Sequence, residues 1–240
     1  MKILKAFALA FNMLTIIPFF KVHDFYKGIN GYSAMFYPLI GFILGLILWK
    51  TTVLLSPFVP STHLAFIIFS LWVLLTGALH LDGLSDTIDG LFVKKEKALE
   101  VMKDSHVGGM GMTFTFVFLG LKVSSLIHFE AYYLLPIILM LSRLNATLAI
   151  YFSNYIGGGM GLLAKEELKF WQVLVAIIVS LALTLYTSSF WMFLLSVLTL
   201  VVIAKFFSSR LGGLSGDIYG FTIELTELVL LNYLIIVNFS

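Results

Sequence analysis

The chain has 240 residues, of which 60% are hydrophobic and 12% are charged, with a formal net charge of +2 and a mean hydropathy of +1.02. Soluble domains carry roughly a quarter charged residues, so this composition excludes a soluble enzyme, a disordered chain and a nucleic-acid-binding protein with a basic face. The apolar residues form long unbroken runs, whereas transmembrane β-barrels alternate apolar and polar residues. We therefore predict an all-α fold, a polytopic transmembrane helix bundle.

Gaps between charged residues predict about seven membrane spans in one integral-membrane domain, residues 1–240. A span needs about 20 apolar residues, and the gap between Lys169 and Lys205 is long enough for two short helices. The predicted spans are residues 33–55, 63–81, 111–128, 132–152, 171–187, 190–207 and 226–239. The stretch 3–20 is predicted to be an eighth span or a re-entrant segment. Polar residues and Pro18 interrupt it, which favours a retained segment over a cleaved signal peptide.

Basic residues predict the orientation of these spans. Lysine and arginine occur in the connections 21–32, 82–110, 153–170 and 208–225, and are absent from the connections 56–62, 129–131 and 188–189. Cytoplasmic loops of membrane proteins are enriched in these residues. Most acidic residues lie in the same connections, so we expect the active site to face the cytoplasm.

The stretch H-L-D-G-L-S-D-T-I-D-G at 80–90 carries three aspartates. If the helix of span 63–81 continues through it, Asp82, Asp86 and Asp89 lie at i, i+4 and i+7 on one stripe. Carboxylates at this spacing repel one another, and Mg²⁺ or Mn²⁺ shared with phosphate oxygens would relieve that repulsion. Gly83 and Gly90 would let a ligand approach the backbone closely. The alternative is a solvated polar loop whose aspartates cap helices.

A second polar segment, K-D-S-H-V-G-G-M-G at 103–111, follows. Lys103, Ser105 and His106 are candidates for binding phosphate, and Asp104 for completing a metal site. Glycines 108, 109 and 111 form a turn before the next span, whose helix N-terminus favours an anion. The alternative is a plain flexible turn.

Lys122 and Arg143 are two of the cations that fall within predicted spans. Arg143 lies near the middle of span 132–152, where a charge costs about 2.5–3.5 kcal/mol on insertion scales. A phosphate-bearing ligand would explain it, and so would pairing with a buried carboxylate such as Asp89 or Glu227. Lys122 lies nearer a membrane surface, and we expect its side chain to extend to that surface.

The segment 212–227 could form a second acidic wall. On a helix, Asp217 and Glu224 share a face, with Glu227 one turn further on. The alternative is an exposed helix start that carries favourable acids. His80, one turn before the aspartates, is interpreted as a hydrogen-bonded histidine at the interface rather than as a metal ligand.

These motifs together resemble a known family. H-L-D-G-L-S-D-T-I-D-G-L at 80–91 followed by M-K-D-S-H-V-G-G-M-G at 102–111 resembles the pattern of cobalamin-5′-phosphate synthases, also called adenosylcobinamide-GDP ribazoletransferases. M-L-T-I-I-P at 13–18, F-Y-P-L-I-G at 36–41, S-R-L at 142–144 and G-L-S-G-D-I-Y-G at 213–220 also fit the family. Ile16 and His106 stand where the family commonly has arginine.

The resemblance implies a Mg²⁺-dependent transferase of the cytoplasmic (inner) membrane that completes the cobalamin nucleotide loop. Its substrates would be adenosylcobinamide-GDP and α-ribazole or α-ribazole 5′-phosphate, and its second product GMP. It would contact the lipid bilayer and no nucleic acid, and its oligomeric state stays open, a homo-oligomer included.

Each candidate residue then has an expected role. Asp82, Asp86 and Asp89 would hold one or two Mg²⁺ ions on the diphosphate, with Asp104 as a further ligand. Phosphate oxygens would be neutralised by Lys103, His106 and Arg143. Either Asp217 or Glu224 would orient or deprotonate the attacking hydroxyl.

Three other classes remain alternatives. Asp86-x-x-Asp89-Gly90 resembles the opening of the CDP-alcohol phosphotransferase motif, but the remainder of that motif is missing. Asp82-x-x-x-Asp86 resembles an aspartate motif of intramembrane prenyltransferases. Those enzymes have a second aspartate-rich motif, which residues 217–227 of this chain match only loosely. An ion-coupled transporter is disfavoured because the two halves of the chain show no repeat.

Overall fold

A computed structural model describes residues 2–104 and 106–238 of the chain. Ser105, a predicted substrate-binding residue, lies outside the described residues, as does position 239 at the end of the last predicted span. The described residues form eleven α-helices and no strand, apart from an isolated bridge between Tyr155 and Leu214. The predicted all-α fold is confirmed.

Five helices are long and apolar enough to cross a membrane. They are α2 (Ile29–Leu55), α6 (Gly109–Ile127), α7 (Leu135–Phe152, preceded by a 3-10 turn, Tyr132–Leu134), α10 (Phe190–Leu211) and α11 (Gly216–Asn238). Two bent pairs add to them: α3 (Ser61–Thr76) with α4 (Leu79–Leu91), and α8 (Met160–Glu167) with α9 (Phe170–Tyr186). If each bent pair is one span, the described residues contain seven candidate spans, the number predicted. The remaining helices are α1 (Lys2–Leu14) and α5 (Lys95–Val101).

The N-terminal segment does not form an eighth span. Helix α1 has 13 residues, about 20 Å at 1.5 Å per residue, and a span needs about 30 Å. The chain then turns back along α1, because the Tyr26 hydroxyl donates to the Lys2 carbonyl at 2.8 Å and Lys5 pairs with Asp24 at 3.1 Å. Residues 20–26 therefore run back alongside α1.

A sharp bend separates α3 from α4. Gly77 and Ala78 both adopt left-handed backbone angles, with φ of 60° and 57°, and the two helix axes differ by 85°. The helix of span 63–81 therefore does not continue through the aspartates, which was the condition under which the sequence placed them on one stripe. A left-handed pair ends a helix because its carbonyls no longer align with the following amides. The three aspartates still share one helix, α4.

Helix α7 is the centre of the bundle. Every residue from Leu135 to Ile150 is buried, and α2 packs closely along it. The close packing requires glycine on α2, because a Cβ at Gly41 would overlap the Leu139 carbonyl and one at Gly45 would overlap Pro136. The backbones of α2 and α7 are thus in direct contact at the level of Arg143.

The basic connections meet at one end of the bundle, here called the basic end. The Arg210 guanidinium donates to the carbonyls of Leu91 and Val93 at 2.9 and 3.0 Å. Asn30 donates from its backbone and its side chain to Glu167, at 2.8 and 2.9 Å. The bridge between residues 155 and 214 joins two more connections. Helix α4 and the start of α11 both lie at this end.

A Gly41→Ala substitution should destabilise the bundle. The added methyl group meets backbone atoms of α7, which cannot move aside by changing rotamer. We expect a loss of about 1–3 kcal/mol, the usual cost of overpacking, seen as a lower melting temperature in detergent. Gly120→Ala on α6 is the control, because nothing lies within 4 Å of that added methyl group. Equal melting temperatures for the two variants would contradict the α2–α7 contact.

Candidate active site

Helix α4 presents its aspartates in a gradient of burial. Asp82 is exposed, Asp86 is partly buried and Asp89 is buried, all on one stripe. Asp217, from the first turn of α11, joins them, and the charges of Asp82, Asp217 and Asp89 all act on Asp86. The sequence thus correctly indicates an acidic stripe, to which the fold adds a fourth carboxylate.

Glycines bring α4 and α11 together. A Cβ at Gly83 would lie 2.8 Å from the Asp217 carbonyl oxygen, and one at Gly220 would lie 3.2 Å from the His80 carbonyl oxygen. Gly83 therefore packs against α11, and it also borders a cavity. At Gly90 the sequence predicts room for substrate, but the structure places the Met102 side chain there, 2.7 Å from an added Cβ. Gly90 serves helix packing, and that prediction is corrected.

Asp89 caps helix α6. Its carboxylate oxygens accept the backbone N–H groups of Gly108 and Gly111 at 2.8 and 2.7 Å, and a Cβ at either glycine would overlap the carboxylate. A carboxylate at a helix N-terminus satisfies amides that otherwise lack partners. For Asp89 the structure therefore favours the capping alternative, and the glycines of the turn are explained by this contact.

The loop before α6 separates the candidates that the sequence groups together. Asp104 accepts bonds from the His106 ring at 2.7 Å and from the His106 backbone at 3.0 Å, and both side chains are exposed. These bonds hold the pKa of Asp104 below its ordinary value. Asp104 and His106 thus pair with each other rather than joining the aspartates of α4. Lys103 does reach the site, since its positive charge acts on Asp217.

Two chambers meet at the start of α11. The inner chamber, about 260 Å³, extends into the bundle past His80, Asp82, Gly83, Tyr219 and a set of apolar side chains. The outer chamber, about 300 Å³, opens between Lys103, Tyr155, Gly157, Gly158 and Ser215. Met160, Gly161, Gly216 and Asp217 border both. Asp217 therefore lies at the junction of the two chambers.

The Tyr155 hydroxyl borders the outer chamber, where its O–H donates to the Gly158 carbonyl at 3.0 Å. Burial and the neighbouring Asp217 charge raise the pKa of its phenol, so the hydroxyl stays protonated at neutral pH. The sequence gives no signal for Tyr155, because it is distant along the chain from every acidic motif. The bridge from Tyr155 to Leu214 is what carries it to the site.

A larger groove lies elsewhere and lacks this chemistry. It measures about 670 Å³ on α7, α9 and α10, and its lining is largely apolar, with Lys205 as its one charged side chain among the described residues. The candidate active site is therefore the cleft formed by the two chambers and the aspartates of α4, here called the acidic cleft, which lies at the basic end of the bundle.

Four charges pair inside the bundle, here called the buried charge cluster. Lys122 donates to Glu224 at 2.7 Å and to Glu227 at 2.6 Å, and Arg143 pairs with Glu227. All four side chains are buried, and the Lys122 ammonium also lies 4.3 Å from the Trp72 ring centroid. Two cations and two anions leave the cluster neutral.

The cluster corrects three predictions. Lys122 does not extend to the membrane surface, because Glu224 and Glu227 hold it inside. Arg143 pairs with Glu227, which was its alternative interpretation, and so is not placed at a phosphate. Glu224 is engaged by Lys122 rather than facing the cleft. Helix α11 begins at Gly216, ten residues before the predicted start of the span at 226, and carries both glutamates as well as Asp217.

The carboxylates of the cleft can be compared with those of known metal sites. Among the described His, Asp and Glu side chains, no group of three is placed to hold a metal ion by itself. Mg²⁺ in phosphate-processing sites is usually held by one or two carboxylates together with substrate oxygens. Asp82 and Asp86 offer such hard oxygen ligands, and their mutual repulsion with Asp217 is of the kind that a divalent cation relieves.

Comparison with known proteins identifies one family. The cobalamin-5-phosphate synthase family matches residues 6–235. Proteins named adenosylcobinamide-GDP ribazoletransferase from Desulfitobacterium hafniense and Thermosynechococcus vestitus are 37% and 38% identical to this chain, and each alignment covers 83% of this chain and 84% of the relative. A protein of the same name from Clostridioides difficile is 32% identical, and the alignment covers 98% of this chain and 99% of the relative. No solved structure matches.

A Lys122→Met substitution should be strongly destabilising. It leaves Glu224 buried without a partner, while Glu227 keeps Arg143. Breaking a buried ion pair from one side costs about 3–5 kcal/mol, so we expect a large drop in the melting temperature. The double variant Lys122→Met/Glu224→Gln should recover most of it, because no charge is left unpaired.

The matched control is Lys50→Met, which removes an exposed lysine from α2 and should cost little. A double variant no more stable than Lys122→Met alone would contradict the pairing of Lys122 with Glu224.

Proposed function

This chain belongs to the cobalamin-5-phosphate synthase family, and we propose that its acidic cleft performs the adenosylcobinamide-GDP ribazoletransferase reaction. One observation carries the proposal: Asp217 borders both chambers, with Asp82 on the inner one and Lys103 on the outer one, and the charges of Asp82 and Asp217 act on Asp86. Two substrates can thus reach one acidic point from two sides. Family membership sets aside the CDP-alcohol phosphotransferase, prenyltransferase and transporter alternatives.

The outer chamber is proposed to hold the diphosphate of adenosylcobinamide-GDP. Lys103 supplies a positive charge at this opening, and the N-terminus of α11 favours negative charge next to it. Phosphoryl transfer depends mainly on positioning and charge neutralisation, and these two groups provide both.

Asp82 and Asp86 are proposed to hold Mg²⁺ against that diphosphate. When bound, Mg²⁺ neutralises phosphate oxygens and orients the diphosphate. Asp89 supports the site differently, by fixing the start of α6. Asp104 and His106 stabilise the loop that carries Lys103.

Asp217 is proposed to accept the proton of the attacking ribose hydroxyl. The ribose oxygen forms a bond to the phosphorus attached to cobinamide, and the bond from that phosphorus to the bridging oxygen breaks. GMP leaves with the electron pair of the broken bond, and the proton passes to the Asp217 carboxylate. Glu224, the other candidate base, is paired with Lys122 inside the bundle.

The basic end is proposed to face the cytoplasm, with the bundle in the cytoplasmic membrane. The connections rich in lysine and arginine meet there, as expected for the inner side. A nucleotide-linked substrate and Mg²⁺ would reach the cleft from that side.

Release of GMP tests the proposed function directly. Detergent-purified protein should release GMP from adenosylcobinamide-GDP only when Mg²⁺ and α-ribazole (or α-ribazole 5′-phosphate) are both present. Removal of Mg²⁺ with a chelator should stop release, and readdition should restore it. No release under any of these conditions would overturn the assignment.

Asp86→Asn should abolish transfer without unfolding the protein. Loss of a metal ligand removes several kcal/mol of charge stabilisation, so kcat should fall about 100-fold or more. Asp104→Asn is the matched control: its carboxylate is exposed and bonded to His106, so kcat should stay within about threefold. If Asp104→Asn loses as much activity as Asp86→Asn, the predicted role of Asp104 as a metal ligand regains support and our assignment fails.

A further inference from the structure

The inner chamber contains two buried polar groups that the mechanism above does not use. His80 is 3% exposed, and neither of its ring nitrogens has a hydrogen-bond partner among the residues described. Tyr219 is 7% exposed, and its hydroxyl also has no hydrogen-bond partner among the described residues. Both residues line the inner chamber. Burying unpaired polar groups costs free energy, so two of them on one cavity point to a ligand that pairs with them.

The remaining walls of the inner chamber indicate what such a ligand is. Leu14, Ala146, Ile150, Ala164 and Ile223 make its surface largely apolar. None of its lining residues among those described is a lysine or arginine, in contrast to the outer chamber with Lys103. A ligand with apolar faces, no negative charge and a polar edge fits this lining.

The size of the inner chamber excludes the larger substrate. About 260 Å³ lies just below the roughly 300–1,000 Å³ of small-molecule sites. A flat heterocycle fits that volume, whereas a corrin macrocycle does not. A neutral imidazole carries one donor and one acceptor, so His80 can bond to a ring nitrogen of such a heterocycle.

We infer that the inner chamber binds the aromatic base of the ribonucleoside acceptor, and that His80 and Tyr219 recognise that base. This inference rests on the proposed function, in which a ribazole is the acceptor. A base held in the inner chamber leaves its ribose at the junction, next to Asp217. The ribose hydroxyl then meets the diphosphate from the outer chamber at the residue that takes its proton.

His80→Leu separates recognition of the base from a structural role. The variant removes polar atoms that have no partner, so the melting temperature should stay the same or rise. The KM for α-ribazole should rise about tenfold or more, the loss expected for a buried hydrogen bond. The KM for adenosylcobinamide-GDP should stay within twofold. Tyr219→Phe should raise the KM for α-ribazole in the same direction.

Two controls define the specificity of this effect. His128→Leu removes an exposed histidine at the other end of α6 and should leave both KM values unchanged. Direct titration calorimetry of the full chain without adenosylcobinamide-GDP should show weaker α-ribazole binding in His80→Leu. Ribose 5-phosphate, which has no base, should bind equally weakly to both proteins.

The outcomes distinguish this inference from the proposed function. If the wild-type protein transfers and His80→Leu leaves the KM for α-ribazole unchanged, the inference is overturned and the proposed function stands. A melting temperature several degrees lower, or both KM values raised together, would assign His80 a structural role and also overturn it. His80-dependent binding of α-ribazole in a protein that releases no GMP would support the inference and refute the proposed function.

Discussion

Four charges inside the bundle must neutralise one another, and much of the architecture follows from that requirement. Unpaired, each costs about 2.5–3.5 kcal/mol at membrane depth. Lys122 on α6 and Arg143 on α7 pair with two glutamates of α11, which fixes the register of three helices at once. The same helix, α11, begins at Gly216. Its first turn packs against α4 through Gly83, and the charge of Asp217 acts on Asp86 of that helix.

Helix α4 divides its carboxylates between structure and chemistry by burial. Asp89 is buried, and its carboxylate accepts hydrogen bonds from two backbone amides at the start of α6. Asp82 and Asp86 are more exposed, and they are the carboxylates proposed to bind Mg²⁺. One row of acids on α4 thus anchors the next helix at its buried end and supplies the proposed metal ligands at its exposed end. The bend at Gly77 and Ala78 makes both possible, because it turns α4 away from the direction of α3.

Apolar length and charge spacing predict most of the fold. Seven spans, the acidic stripe and the gathering of the basic connections all follow from period and composition. The bend at Ala78 does not, since an alanine rarely adopts a left-handed conformation and so gives no signal. Lys122 and Glu224 are 102 residues apart in the chain, and no local pattern reveals such a pair. The position of Arg143 suggests a buried partner, yet only packing decides between a glutamate and a phosphate.

The two-chamber arrangement bears on why a transferase of this kind does not simply hydrolyse its diphosphate. Water competes with the ribose hydroxyl for the same phosphorus, and Asp217 would accept a proton from either. The inner chamber is apolar apart from a few groups, so a base that fills it excludes water from the side on which the nucleophile approaches. With the base bound, the ribose hydroxyl becomes the group nearest to Asp217. In the proposed mechanism, selection of the acceptor over water therefore depends on filling an apolar cavity, while activation of either nucleophile depends on Asp217.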